Sequence, residues 1–189
     1  MTTKLDAINT MLSCIGQAPL NTLEGTKSYF TVAAIQILDD EVKRFQITGW
    51  DFNSEDNYEL HPDTNNEITV PDNLIMVKFP TAYKNRYVVR EGKLYDKFKH
   101  TYTIPETIRC SVVWSYPFEA LPEVAKEYAM MSAAYKFVKR ELGAEKVSQF
   151  TKEDVMEAYI ALMQHELEIG EYTMIPDNYN GNIRSFLWV

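Results

Sequence analysis

Cysteine is scarce in this chain: Cys14 and Cys110, 96 positions apart, are the two present in 189 residues. That separation leaves no CxxC pair for redox chemistry and no closely spaced thiolates for zinc, and it fits a reducing compartment. Glycine is thinly spread as well. Gly16, Gly25, Gly49, Gly92, Gly143, Gly170 and Gly181 lie nine or more positions apart. A phosphate cradle needs clustered glycines, because only bare backbone approaches the anion closely, so P-loop and dinucleotide turns are excluded. His61, His100 and His165 fall in three separate segments with no HExxH pair; neither a metal site nor a cofactor is expected. No apolar run nears the roughly 20 residues that cross a bilayer, and the first thirty residues lack a basic start followed by an apolar block. A soluble, unexported protein without a membrane partner is the expectation. Basic charge is in deficit, 19 against 27 acids for a net charge of -8, which opposes indiscriminate binding to DNA through the whole surface.

What is present is unevenly placed. Asp51, Glu55, Asp56, Glu59, Asp63, Glu67 and Asp72 give the segment 51–72 a charge of -7 with no lysine or arginine. From 73 to 119, eight bases outnumber four acids. From Glu141 to Glu171, eight acids face only Lys146 and Lys152. The 46% of hydrophobic residues supply one ordinary core at this length, so one compact unit is the default.

Leu5, Ile8, Leu12 and Ile15 are spaced as one helical stripe ahead of Gly16, with Thr2 or Thr3 as cap. A second helix is expected over 28–48, with Val32, Ile35, Leu38, Val42 and Phe45 in its stripe and Gly49 at its end. Pro122 suits the first turn of a third, whose stripe Val124, Tyr128, Met131, Tyr135, Val138 and Leu142 is the strongest periodic signal in the chain. A fourth follows Val147 and Phe150, from a cap at Thr151 and Asp154 through Val155, Tyr159, Leu162 and Ile169 to Gly170. Between the second and third helices the period changes to two: Ile108, Cys110, Val112 and Trp114 share a strand face, opposite Arg109, Ser111 and Ser115. The expected fold is α+β: an antiparallel helical bundle from 1–49 and 122–170, a β-rich insertion over 50–121, and an irregular C-terminal tail over 171–189.

Tyr87–Arg90 and Lys93–Asp96 flank Glu91-Gly92 and read as a hairpin, although glutamate is a poor first residue for a type I′ turn. A two-residue loop sets Arg90 opposite Lys93 and Arg86 opposite Lys97. Facing like charges destabilise a hairpin, so an anion is expected there: a phosphate backbone, the chain's own 51–72 segment, or that segment on a neighbouring copy. The tail ends in Phe186, Leu187, Trp188 and Val189, an apolar tip costly to leave in water, which either packs back on its own body or enters a groove on a partner. Arg86, Arg90, Lys93, Lys97, Phe186, Leu187 and Trp188 are the candidate interface residues.

Reaction chemistry finds little support. Ser13-Cys14 sits inside the first helix without a GxSxG elbow. A glycosidase needs two carboxylates about 5 to 9.5 Å apart, and nothing selects a pair: Asp39, Asp40 and Glu41 fan around a helix, and Glu141 and Glu145 are helix-end neighbours, both read as solvated faces. Tyr83, Tyr87, Tyr95, Phe98 and Tyr102 among the bases could stack single-stranded bases, but tyrosine and phenylalanine are also ordinary strand formers. A polysaccharide hydrolase and a nucleic-acid-binding module stand as alternatives to a structural protein without catalytic residues.

Three stretches carry a resemblance. Leu5-Asp6-Ala7-Ile8-Asn9-Thr10-Met11-Leu12-Ser13-Cys14-Ile15-Gly16, followed by Pro19-Leu20-Asn21-Thr22-Leu23-Glu24-Gly25, resembles the opening of the tail tubular protein A family, the head-to-tail adaptors of short-tailed podovirus bacteriophages. Gly49-Trp50-Asp51-Phe52-Asn53 with Leu60 and Pro62 is similar to that family's helix-to-sheet junction, and Gly170-Glu171-Tyr172-Thr173-Met174 to its closing turn. Residues 175–189 extend beyond the family's usual end. The resemblance implies a structural protein made in the host cytoplasm and located in the virion tail. There it forms a dodecamer ring between the portal protein and the tail nozzle, tail tubular protein B, around a channel through which phage DNA passes without specific binding.

Overall fold

The computed structural model describes residues 1–83, 85–143 and 152–169. Two helices, α1 (Lys4–Ser13) and α2 (Tyr29–Gln46), precede five strands, β1 (Ser54–Leu60), β2 (Leu74–Lys78), β3 (Tyr87–Arg90), β4 (Lys93–Asp96) and β5 (Ile108–Trp114); α3 (Glu123–Leu142) and α4 (Lys152–Ile169) follow. The fold is α+β, as the two sequence periods imply. One antiparallel sheet has the order β1-β5-β2, and β3 and β4 form a separate antiparallel pair.

Local chemistry sets the element ends. Thr3 caps α1 by accepting from the Asp6 amide at 3.1 Å, while the Asp6 carboxylate accepts from the Thr3 amide at 2.9 Å; the two unpaired donors of the first turn are satisfied reciprocally. Those bonds from Thr3 hold the Asp6 carboxyl below its ordinary range. Ser28 caps α2 through the Thr31 amide. Gly49 is required twice over: its φ is +79°, and a Cβ there would stand 3.1 Å from both Ser54 Oγ and Val113 Cγ2. The caps expected at Thr151 and Gly170, the link residues Val147 and Phe150, and the whole 171–189 tail lie outside the described residues.

The helices bury one apolar cluster, around Ile8, Met11, Leu38, Phe45, Phe118, Phe137 and Leu162, and the strands a second, around Leu60, Ile68, Leu94, Ile108 and Val112. Within the helical cluster the sequence reading needs correction. The α3 stripe Val124, Tyr128, Met131, Tyr135, Val138 and Leu142 is not the buried face: only Val138 is fully buried, and Leu142 is 39% exposed. The core face is Ala125, Ala129, Ala133, Ala134 and Phe137, and α2 contributes Ala33 and Ala34. Alanine lets helix axes approach closely, so the bulky residues end up flanking the contact. Val32 of α2 is likewise 41% exposed and Ile169 of α4 50% exposed.

Glu41 is also corrected. It is not solvated but 5% exposed, accepting from Ser132 Oγ of α3 at 2.8 Å and paired with Lys136. A smooth alanine contact carries little shape information, and this polar pin fixes how α2 and α3 sit along each other. In β5 the alternation holds at Ile108, Cys110 and Val112 but fails at Val113, which is buried because Gly49 packs on it. The Cys110 thiol is pushed up to about 11 by burial.

Two side-chain amides join the helices to the sheet. Asn53 Nδ2 donates to Gln46 O at 3.0 Å and to Trp114 O at 2.7 Å, and Asn53 Oδ1 accepts from the Trp50 amide at 2.8 Å. Gln46 Nε2 donates to Val42 O at 2.8 Å and Tyr116 O at 3.0 Å, and its Oε1 accepts from the Tyr116 amide at 2.8 Å. Asn53 is 1% exposed and Gln46 fully buried. Removing such a partner leaves buried carbonyls unpaired, so Asn53→Ala is expected to lower stability by about 2–4 kcal/mol in denaturant unfolding. Ala133→Leu, which overfills the α2–α3 contact, is expected to cost about 1–3 kcal/mol in the same measurement.

Candidate assembly interface

The hairpin forms in the expected register. Arg90 pairs with Lys93 across the ladder and Tyr87 with Asp96, and Lys97 N donates to Arg86 O at 2.8 Å. Glu91 and Gly92 both have positive φ, +52° and +71°, the signature of a type I′ turn despite the glutamate. The structure therefore brings Arg86, Arg90, Lys93 and Lys97 together. Phe186, Leu187 and Trp188 lie outside the described residues, as does Lys84 of the basic segment.

The mutual repulsion of these cations is relieved largely inside the chain. Arg86 donates to Asp96 from both Nε, at 2.9 Å, and Nη2, at 2.8 Å, and Nη2 stands 3.8 Å from Glu106. Burial pushes the Asp96 carboxyl up, but Arg86 and the amides of Lys99 and Phe98 outweigh it and hold the group below its ordinary value. Lys93 pairs with Glu67, a member of the acidic segment, and that bond raises the lysine above its usual range. Backbone bonds explain why Glu67 is there: Leu94 N donates to Ile68 O and Val70 N to Gly92 O, so residues 67–70 run along the outer edge of β4. Arg90 stacks its guanidinium 4.4 Å over the Tyr95 ring. Among the described residues Lys97 makes no side-chain hydrogen bond or ion pair.

Tyr87 is 5% exposed and donates to Glu106 Oε1 at 2.8 Å; burial, then that carboxylate, raises its hydroxyl above the ordinary range. On the neighbouring sheet Arg109 pairs with Glu59 at 2.7 Å, and Glu59 lies 3.6 Å from His61. Glu59, Arg109, Tyr83, Thr107 and Pro80 line an open hollow of about 530 Å³. Among the described residues no group of three or more His, Cys, Asp or Glu side chains is placed to hold a metal ion, and no helix is long and apolar enough to cross a membrane.

Two residues of this site escape sequence reasoning. In the sequence Asp96 is only one of four acids among eight bases and the end of a hairpin strand, yet it is the buried anchor of the hairpin; the signal is its place at the strand end, where its side chain caps the following turn through Phe98 N and Lys99 N. Glu67 is visible only as one of seven acids, because no local pattern says which of them folds against β4.

Compared with known proteins, residues 5–172 match the family model described as tail tubular protein. No curated protein matches the chain.

Because Arg86 neutralises a buried carboxylate while Arg90 is itself exposed and only stacks on a half-buried ring, Arg86→Leu is expected to destabilise the chain by about 3 kcal/mol and Arg90→Leu by less than about 0.5 kcal/mol, measured by thermal unfolding. The depressed Asp96 value implies stabilisation present above the ordinary carboxylate range and lost as pH falls through the lower folded value. The hairpin should therefore hold at pH 5 and loosen only well below pH 4, with Asp96→Asn flattening that profile; hydrogen exchange of the β3 and β4 amides reads it.

Proposed function

The chain belongs to the tail tubular protein family and is a structural component of a bacteriophage tail; on that premise we propose that it is the adaptor joining the portal protein to the tail nozzle. Copies close into a ring, a dodecamer as the resemblance to the podovirus adaptors implies, and the ring forms part of the channel through which the genome is ejected. The observation that supports this reading is the family match over residues 5–172.

Ring closure requires a heterologous contact, in which one patch meets a different patch on the next copy. The hairpin supports such a patch, since two of its cations retain charge for an outside acid: Arg90 is exposed and Lys97 is unpaired among the described residues. Their counterparts are acids of a neighbouring subunit or of the adjacent ring component. On α4, Glu153, Glu157 and Glu168 are exposed, and acids of this helix facing the channel would keep passing DNA from sticking.

The double charge reversal Arg90→Glu with Lys97→Glu is expected to weaken ring formation and portal binding, read as particle mass alone and mixed with the portal, while circular dichroism stays unchanged, since neither side chain forms an ion pair among the described residues. Assembly equal to that of the unaltered chain would sink the interface assignment. Virions whose head-to-tail joint lacks the protein would sink the adaptor reading itself.

A further inference from the structure

An open groove of about 510 Å³ is lined by residues of β2 and β3. One wall is β2, with Ile75, Met76 and Val77, and the other is β3, with Val88 and Val89; Lys97 also lines the groove. β2 is bonded only to β5 and β3 only to β4, while the far edge of β4 is taken by residues 67–70. Each wall therefore presents a main-chain edge with no strand partner among the described residues. Ile75 and Val89 are 36% and 39% exposed. Apolar, unpaired strand edges are templates for an added strand: main-chain bonds supply affinity and the flanking pockets supply specificity.

We propose that residues 183–189 of this same chain, Ile183-Arg184-Ser185-Phe186-Leu187-Trp188-Val189, enter the groove as an added strand joining β2 to β3. The segment has the composition of a strand: isoleucine, phenylalanine, tryptophan and valine, with no proline or glycine after Gly181. It is also within reach. Glu166, in the last turn of α4, accepts from the Asp51 amide at 2.6 Å; Ser54 lies opposite Val113, and Val113 opposite Met76. Paired strands are about 4.8 Å apart, so with the Glu166 side chain and the residues from Asp51 to Ser54 counted in, the end of α4 lies within about 30 Å of β2. The stretch 170–182, fully extended, spans roughly 44 Å, and a tether of that length holds its end at an effective concentration in the millimolar range.

The competing seat is the α4 surface itself, where Met156, Ile160 and Leu167 are 57%, 46% and 52% exposed. A helix has already spent its backbone bonds internally, so that stripe offers apolar contact alone, beside the exposed acids Glu153, Glu157 and Glu168. The groove offers both apolar contact and main-chain partners, which decides between them. The apolar tip is thereby turned inward, onto the chain that carries it, and the assignment does not depend on the adaptor reading.

Two cysteine pairs in the full chain, on a Cys14→Ser background, test it: Val89→Cys with Leu187→Cys, and Ile160→Cys with Leu187→Cys. Under mild oxidation of dilute protein, the first pair is expected to close within one chain at least about tenfold faster than the second. A second measurement avoids altering the groove. Leu187→Asp with Trp188→Asp should speed exchange of the β2 and β3 amides by about tenfold or more, leaving the β1–β5 ladder unchanged. Equal closure of both pairs, faster closure on α4, cross-links that join two chains, or unchanged exchange would each overturn the proposal.

Discussion

The junction between helices and sheet rests on two buried side-chain amides. Gln46 closes the last turn of α2 and reaches across to both backbone groups of Tyr116, and Asn53 bonds to the Gln46 and Trp114 carbonyls while receiving the Trp50 amide. Only an amide side chain carries a donor pair and an acceptor on one planar group, which is what a site with two carbonyls and an amide to satisfy demands. A carboxylate would face the carbonyls with negative charge, and an aliphatic chain would leave them unpaired in a dry interior. Trp50 completes the joint: its Nε1 donates to Phe45 O at 2.8 Å and its ring meets Phe45 and Tyr159. Gly49, which supplies the positive φ, must be bare because Val113 occupies the space a side chain would need. The order Gly49-Trp50-Asp51-Phe52-Asn53 thus states a geometric specification residue by residue.

The charges divide into those consumed by folding and those left over. Glu41 with Lys136, Arg86 with Asp96, Lys93 with Glu67 and Arg109 with Glu59 are intrachain pairs, so the raw segment totals overstate what a partner meets. The acidic run 51–72 and the basic run after it partly neutralise one another within one molecule. For a protein of the tail tubular family this matters, because an interface between copies is made of what folding has not already paired.

Legibility in the sequence followed the range of the interactions involved. The α1 cap, the α2 start at Ser28, the hairpin register and the Ile108–Trp114 strand rest on contacts between near neighbours, and local spacing reveals them. The buried face of α3 was not legible. Its Val-Tyr-Met stripe is the stronger hydrophobic pattern, but the partner helix selected the alanines about one residue round the helix, since close approach of α2 favoured small side chains. Glu41 and Asp96 were hidden for a related reason: a carboxylate is solvated or buried according to whether a distant Ser132, Lys136 or Arg86 comes to meet it. Strand β1 is polar and interrupted by irregular register, and β2 is a short apolar run of five residues with its own register shift; neither carries an alternation long enough to stand out. At the hairpin the sequence placed the four cations correctly, and it left open which acids would answer them.

The two apolar clusters share Tyr116 at their margins, and the amide bonds of Gln46 and Asn53, with the Gly49–Val113 contact and the bond from the Asp51 amide to Glu166, carry much of the rest of the connection. A pulling force applied between sheet and helices therefore falls on a few short, directional bonds instead of on a wide greasy contact. Such bonds are stiff over a fraction of an ångström and then fail together. Geometry at this joint, more than the area it buries, therefore sets how sheet and helices are held.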